Sequence, residues 1–327
     1  MDKYVLMIED NNPSYVYNKN IIASVQEENV YCVNQFNGLM LKLFQVLFSW
    51  KTNKVMEVPF KFLFFKKLLS GIDINKNDDI WFVFFESYLP AYSKKYLRYL
   101  KKEYPHAKTC FVVNNPLVDY VYSKVNHVKS EYDKVATFLK DDAEKYGLFY
   151  YPYGYPFYIE DGKVKEEYES DVFFVGTDKG RLKYLLNLYD LFEKNGLKCD
   201  FWITGTQPED QQARQGITYN RRIPYTEVLE RVRASKCVLE ILQDDAMYCS
   251  LRCLEALLCR KKLITTNKMV LELPEYDERY IQIISMNNVE KLAIDFIKND
   301  VEDCIFPEKT FCSFVAFKDF LRGEKSW

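Results

Sequence analysis

Three groups of residues carry charge where an α/β chain could put it to chemical use. Arg252 and Glu255 stand three apart in SLRCLEALLCRKK. At that spacing both side chains leave a helix on one side. They make either an ordinary intrahelical ion pair, or a guanidinium fork for a diphosphate beside a carboxylate that accepts from a ribose hydroxyl pair. Lys179 and Arg181 follow an apolar run in GTDKGR, Gly176 to Arg181. Two cations at a helix start suit a departing diphosphate, or simply a solvated turn. Asp10 and Glu86 are carboxylates that close apolar runs. At the carboxyl end of a parallel strand such a group faces the ligand crevice and can take a proton from an attacking hydroxyl. Asp10 equally suits a helix cap.

The elements that must position these groups are legible as hydrophobic runs. From Ser235 to Asn267 the pattern is strand (Cys237 to Ile241), polar turn (Gln243 to Asp245), helix (Ser250 to Cys259) and strand (Leu263 to Thr266). That helix presents Leu251, Leu254 and Leu258 to a sheet and Arg252 and Glu255 from another face, and its N-terminus favours an anion. Before it come strands at Asp171 to Val175 and Lys198 to Thr204, and a helix from Leu182 to Asn195 capped by Gly196. ITYNRRIPYTEVLERVRAS, Ile217 to Ser235, reads as strand, turn and helix, with Pro224 near the first helical position. After it come a strand at Tyr280 to Ile284 and helices at Val289 to Lys298 and Glu308 to Leu321.

The first half alternates in the same way. Strands are expected at Tyr4 to Ile8, Asp79 to Phe85 and Ala107 to Val113, with a helix from Ala91 to Glu103. Tyr132 to Phe157 reads as a strand, an acidic helix ending at Gly147 and an aromatic loop suited to sugar faces or to domain packing. Leu39 to Trp50 and Phe60 to Leu69 are apolar helical stretches with interleaved lysines. They are either core helices or a surface that lies on anionic headgroups, with Lys61, Lys66 and Lys67 reaching outward. The charged run Ile159 to Ser170 is a linker.

Composition narrows the classes. A chain of 327 residues with 48% hydrophobic residues accommodates two folded domains. A net charge of −2 gives no whole-molecule field for nucleic acid. Nine scattered cysteines without C-x-x-C pairing predict buried reduced thiols rather than a zinc site or a disulfide framework. The short apolar start and the lack of a bilayer-length run predict a cytoplasmic protein. Neither G-x-x-x-x-G-K-S/T nor G-x-G-x-x-G occurs, which weighs against P-loop chemistry and against a nucleotide-sugar oxidoreductase or epimerase of the dinucleotide-binding kind.

The string SLRCLEALLCRKKLITTN with the preceding LEILQDD resembles the donor-binding unit of bacterial GT-B glycosyltransferases from capsule, lipopolysaccharide and exopolysaccharide pathways. The passage around DDAEKYGL, with its tyrosines and prolines, is similar as well. This resemblance implies two doubly wound Rossmann-like α/β domains facing a cleft. Residues 1–165 would bind the acceptor and 166–327 the nucleotide-sugar, the last helix packing back on the first domain. It implies metal-independent transfer from a nucleotide-sugar, a UDP-sugar in first place, to a hydroxyl of a glycan or lipid-linked glycan, without a cofactor and without nucleic acid. Location is then cytoplasmic or on the periphery of the cytoplasmic membrane, with residues 39–69 touching the inner-membrane surface. By the same resemblance Glu255 holds the ribose, and Gln243, Asp244, Asp245, Ser250 and Arg252 serve the diphosphate and sugar. Gly176, Lys179, Arg181 and Arg222 serve phosphates, and Ile223, Pro224 and Tyr225 the base. Asp10 or Glu86 acts as the base of an inverting enzyme. Many members carry a second acidic residue eight positions before the ribose glutamate, where this chain has Met247. That departure supports the alternative of an inactive homologue serving as binding partner or scaffold.

Overall fold

The structure, a computed structural model, describes residues 2–9, 29–55, 59–151, 168–242, 250–273, 276–285, 294–299 and 314–324. Asp10, Gln243, Asp244, Asp245 and Met247 lie outside the described residues, as do the aromatic loop 152–157 and most of the linker. The chain divides into two compact units, Met1–Tyr158 with Phe314–Trp327, and Ile159–Ser313.

In the first unit six parallel strands, β1 (Lys3–Met7), β2 (Val30–Cys32), β3 (Ile80–Phe85), β4 (Lys108–Val113), β5 (Lys134–Thr137) and β6 (Phe149–Tyr150), lie in the order β2-β1-β3-β4-β5-β6. All six residues of β3 are buried, as a strand covered on both faces by helices requires. The helices are α1 (Gly38–Phe48), α2 (Trp50–Val55), α3 (Phe62–Leu68), α4 (Lys94–Glu103), α5 (Asp119–Val128) and α6 (Lys140–Tyr146). Ser93 caps α4 by accepting from the Tyr96 amide at 3.4 Å, and Tyr96, Leu97 and Leu100 turn its apolar side inward. Gly147, at φ 60°, closes α6 in the left-handed region. Phe82, Phe84 and Phe111 share one core with Phe44, Phe48, Phe64 and Val125.

The second unit repeats the plan. Strands β7 (Ser170–Thr177), β8 (Cys199–Thr204), β9 (Ile217–Tyr219), β10 (Ser235–Glu240), β11 (Lys262–Thr265) and β12 (Ile281–Ile283) are all parallel, in the order β12-β11-β10-β7-β8-β9. Its helices are α7 (Leu182–Lys194), α8 (Tyr225–Arg233), α9 (Leu251–Leu258) and α10 (Ile294–Lys298). Leu185, Leu188 and Phe192 of α7 pack on Phe174, Phe201 and Leu239. The last helix, α11 (Phe314–Arg322), returns to the first unit. Phe317 and Phe320 pack their rings 5.1 and 4.9 Å from that of Tyr151, Lys134 Nζ donates to the Phe320 carbonyl at 2.8 Å, and Arg322 pairs with Asp2.

No helix among the described residues is long and apolar enough to cross a membrane. Of the six described cysteines, Cys110, Cys199, Cys237 and Cys253 are buried.

Two glycines of the second unit share a left-handed backbone but differ in surroundings. Gly196, at φ 75°, faces open space, while a Cβ at Gly216, at φ 87°, would stand 2.2 Å from the Cys199 carbonyl oxygen. Gly196→Ala should therefore cost about 1 kcal/mol from backbone strain alone. Gly216→Ala should cost about 3 kcal/mol, since β9 must also move off β8. Thermal unfolding of both variants checks this; equal losses would mean that close approach is not what Gly216 permits.

Candidate functional site

The strand order of the second unit is the doubly wound one, with β7 and β10 adjacent and the chain leaving them in opposite directions. Ligands of such sheets bind at the carboxyl ends of those two strands. Here those ends are Thr177 with the turn 178–181, and Glu240.

Glu240 closes an otherwise apolar strand and is 3% exposed. The Ser250 hydroxyl donates to one carboxylate oxygen and the Thr265 hydroxyl to the other. Ser250 is the N-cap of α9, and its Oγ accepts from the Arg252 amide at 3.0 Å and the Cys253 amide at 3.3 Å. One carboxylate thus ties β10 to β11 and orients the cap of the helix between them. Burial raises its pKa, and the Ser250 and Thr265 hydroxyls with the Arg252 charge pull it part of the way back. Sequence reasoning passed over Glu240, although the signal that singled out Glu86, an acid ending a buried strand, was present.

Glu255 is 1% exposed; it pairs with Arg252 on the helix side expected for both, and that side is covered rather than open. The helix buries Cys253, Leu254, Ala256 and Leu257, and Leu251 is only half-buried. The buried face is therefore broader than the expected leucine stripe and takes in the glutamate. Arg252 Nη1 pairs with Glu255 Oε2, whereas Oε1 is buried and has no hydrogen-bond partner among the described residues. Burial raises the Glu255 pKa first, the Arg252 guanidinium opposes this, and the Glu240 charge adds to it. The Tyr225 hydroxyl at the start of α8 faces the same carboxylate as a donor and so also opposes the rise of the Glu255 pKa. Its pKa is driven well above the phenol range by burial and by the Glu255 charge. Ser250, Arg252, Glu255, Tyr225 and Glu240 thus form one cluster.

The remaining predicted residues are placed differently. At the β7 end the Asp178 carboxylate accepts from the Leu182 amide at 2.6 Å, so the α7 terminus already holds an acceptor. Lys179 and Gly180 are left-handed, at φ 49° and 83°, and Lys179 is exposed. Arg181 folds back, donating to the Thr177 carbonyl at 2.9 Å with its guanidinium over the Phe174 ring. Gly176 leaves room for that fold, since a Cβ there would meet Arg181 Nη2 and Phe174 at 3.1 Å. Arg222 is exposed and Ile223 half-buried, and Pro224 is the N-cap of α8 rather than its first residue. Side-chain acceptors occupy amides at both helix starts: Ser250 takes those of Arg252 and Cys253, and Asp178 that of Leu182.

In the first unit Glu86 ends β3 beside β1, at that sheet's own switch point. Its Oε2 accepts from the Asn114 and Asn115 amides and from Asn115 Nδ2, each at 3.0 Å. Burial lifts its pKa, and these donors oppose the lift. Glu86 therefore ties the ends of β3 and β4 through one oxygen. Glu9, at the end of β1, is buried and accepts from Gln45 at 3.4 Å.

No protein-family model and no curated protein matches the sequence. Among solved structures the fold is similar to an alpha-glucosyltransferase in complex with UDP and a 13-mer DNA containing a central A:G mismatch, with 10% identity, 98% of this chain and 93% of that chain covered, and a TM-score of 0.51. Weaker likenesses are to a glycosylation-associated protein complex from Streptococcus agalactiae (11% identity, 81% and 57% covered, TM-score 0.46) and to the DNA-modifying enzyme beta-glucosyltransferase (14% identity, 99% and 91% covered, TM-score 0.40). The chain has the two-domain, Rossmann-like GT-B fold.

The two buried glutamates give the second unit a definite pH response. Their folded pKa values lie above the ordinary 4.5. Their contribution to stability is therefore full below 4.5 and is lost as pH rises through the folded values. Glu240→Gln removes one of these titrations, so its thermal midpoint should fall less than the parent's between pH 4.5 and neutrality. Parallel pH profiles of the two proteins would show that Glu240 does not titrate in this window.

Proposed function

We propose that the chain is a glycosyltransferase whose second unit binds a nucleotide-sugar and whose acceptor is a hydroxyl of a glycan or lipid-linked glycan. The observation that carries this is the buried Glu255 carboxylate, paired with Arg252 and faced by the Tyr225 hydroxyl as a donor, with Oε1 making no hydrogen bond of normal geometry. Leaving an interior polar atom short of a donor costs about 1–3 kcal/mol, and a ribose hydroxyl would add one. Around it Arg252 offers a fork for the diphosphate, Lys179 and Arg181 bring further positive charge at the neighbouring strand end, and Tyr225 with Ile223 borders the nucleoside. UDP is the first choice of nucleotide, being the one held by the alpha-glucosyltransferase of similar fold. The DNA in that complex belongs to that protein, and a net charge of −2 favours a glycan over a phosphate backbone here.

In the reaction the acceptor oxygen attacks the anomeric carbon, and the bond from that carbon to the phosphate oxygen breaks. The electron pair leaves with the diphosphate, where the three cationic side chains stabilise it. If configuration inverts, a base must take the hydroxyl proton, a role for which Asp10 and Glu86 are the candidates. These side chains supply the charge that a metal would otherwise bring to the leaving group.

Calorimetric titration with UDP, GDP, CDP and CMP, each with and without magnesium, tests the reading. One nucleotide should bind without magnesium, and Glu255→Gln should weaken it roughly tenfold to a hundredfold, the worth of charged hydrogen bonds to a hydroxyl pair. A folded protein that binds none of the four would overturn the donor site and favour the scaffold.

A further inference from the structure

Helix α1 has an outward side that its neighbours do not explain. Its sequence, GLMLKLFQVLF, is apolar nearly throughout. Phe44 and Phe48 point inward and meet Phe64 and Phe65 of α3, with ring centroids 5.9 to 6.4 Å apart. On the opposite side Leu39, Leu43 and Val46, spaced four and three apart, are 81%, 46% and 58% exposed. A helix apolar on every side belongs in a core or in lipid; α4, in the same unit, turns Lys95, Arg98 and Lys102 outward instead. Helix α3 repeats the anomaly at its start, where Phe62 and Leu63 are 62% and 63% exposed, with Phe60 before them at 62%. Both helices bury their inner faces in the one core cluster of this unit.

The charge along this stretch is predominantly positive. Between Gly38 and Ser70 the sequence holds six lysines and a single acid, Glu57. Lys42 on α1, Lys51 on α2, and Lys66 and Lys67 on α3 are exposed, whereas Lys61, expected to reach outward, is buried with its ammonium over the Phe48 ring. On α3 the two lysines follow Phe62 and Leu63 at helical spacing, so apolar and cationic side chains share its outer face. Exposed aliphatic surface rimmed by lysines fits the boundary between acyl chains and anionic headgroups. Apolar side chains there leave water, and lysines keep their ammonium groups at headgroup level. Leu39, Leu43, Val46 and Leu63 outnumber Phe60 and Phe62, so most of the exposed apolar surface has no stacking face for a nucleic-acid base, and a stretch with a single acid offers little to a basic protein partner.

We propose that the outer faces of α1 and α3 form a docking surface for an anionic lipid bilayer, on which the first unit lies peripherally. The surface does not depend on the donor site, and nucleotide binding by the second unit neither supports nor weakens it.

Sedimentation of the full chain with phosphatidylcholine vesicles, and with vesicles of equal parts phosphatidylcholine and phosphatidylglycerol, tests it. The chain should pellet with the anionic vesicles and weakly or not at all with the neutral ones, and added salt should release it. Lys42→Gln/Lys66→Gln/Lys67→Gln should lower the partition coefficient on the order of a hundredfold, each lysine being worth about fivefold. Leu39→Ser/Leu43→Ser/Val46→Ser should lower it comparably without lowering the thermal midpoint, because the three side chains face outward. Equal pelleting with neutral and anionic vesicles, or no pelleting, would overturn the proposal. So would full binding by both triple variants. Dimers that the serine variant dissolves, in a protein that ignores vesicles, would assign the face to a second copy of the chain instead.

Discussion

The buried carboxylate of Glu240 is the point on which the geometry of the second unit turns. Strands β10 and β11 and helix α9 are joined there by two hydroxyl donors. Because Ser250 gives its proton to Glu240, both lone pairs of its oxygen stay available to the Arg252 and Cys253 amides. The direction of α9 and the start of Arg252 are set in this way from the end of a strand. A polar group so deeply buried is tolerated because each carboxylate oxygen has a donor. Loss of either hydroxyl would leave a buried oxygen with a full desolvation cost.

This arrangement changes what the helix start can offer a ligand. A free N-terminus attracts phosphate through unsatisfied amides and the macrodipole. In α9 the cap takes two of those amides, and at α7 the Asp178 carboxylate takes the Leu182 amide. Positive charge for an anion must then come mainly from side chains. That makes the guanidinium of Arg252 more important than helix position alone would suggest.

Much of the fold was legible from hydrophobic patterning. The all-buried β3 is a continuous apolar run, and α4 and α7 show helical spacing ended by recognisable caps. The strands β2 and β6 span three and two residues, too few for any period to register. Helix α5, DYVYSKVNHV, is rich in β-branched and aromatic residues that favour strands, and tertiary packing of Val125 and Val128 overrides that preference. At the site, Ser250, Arg252 and Glu255 could be placed on one helix from spacing, but the burial of Glu255 could not. Burial of an acid depends on what covers it from other elements, here α8 with Tyr225. The same holds for Glu240, whose hydroxyl partners lie 10 and 25 residues away.

Two carboxylates, Glu240 and Glu255, share the influence of one guanidinium, and under the proposed donor site this would couple the parts of a nucleotide-sugar. If a diphosphate alone drew Arg252 away, Glu255 would be left charged and buried with no counterion, which is costlier than the pairing it replaced. If ribose hydroxyls arrive at the same time, they donate to the carboxylate as the guanidinium leaves it. The exchange is then close to balanced: hydrogen bonds to a charged acceptor replace an ion pair, and the ion pair re-forms on the phosphate. On this reading the cluster responds to a nucleoside and a diphosphate joined in one molecule more strongly than to either part. Discrimination would arise from the cost of separating Arg252 from Glu255 rather than from any single contact with the ligand.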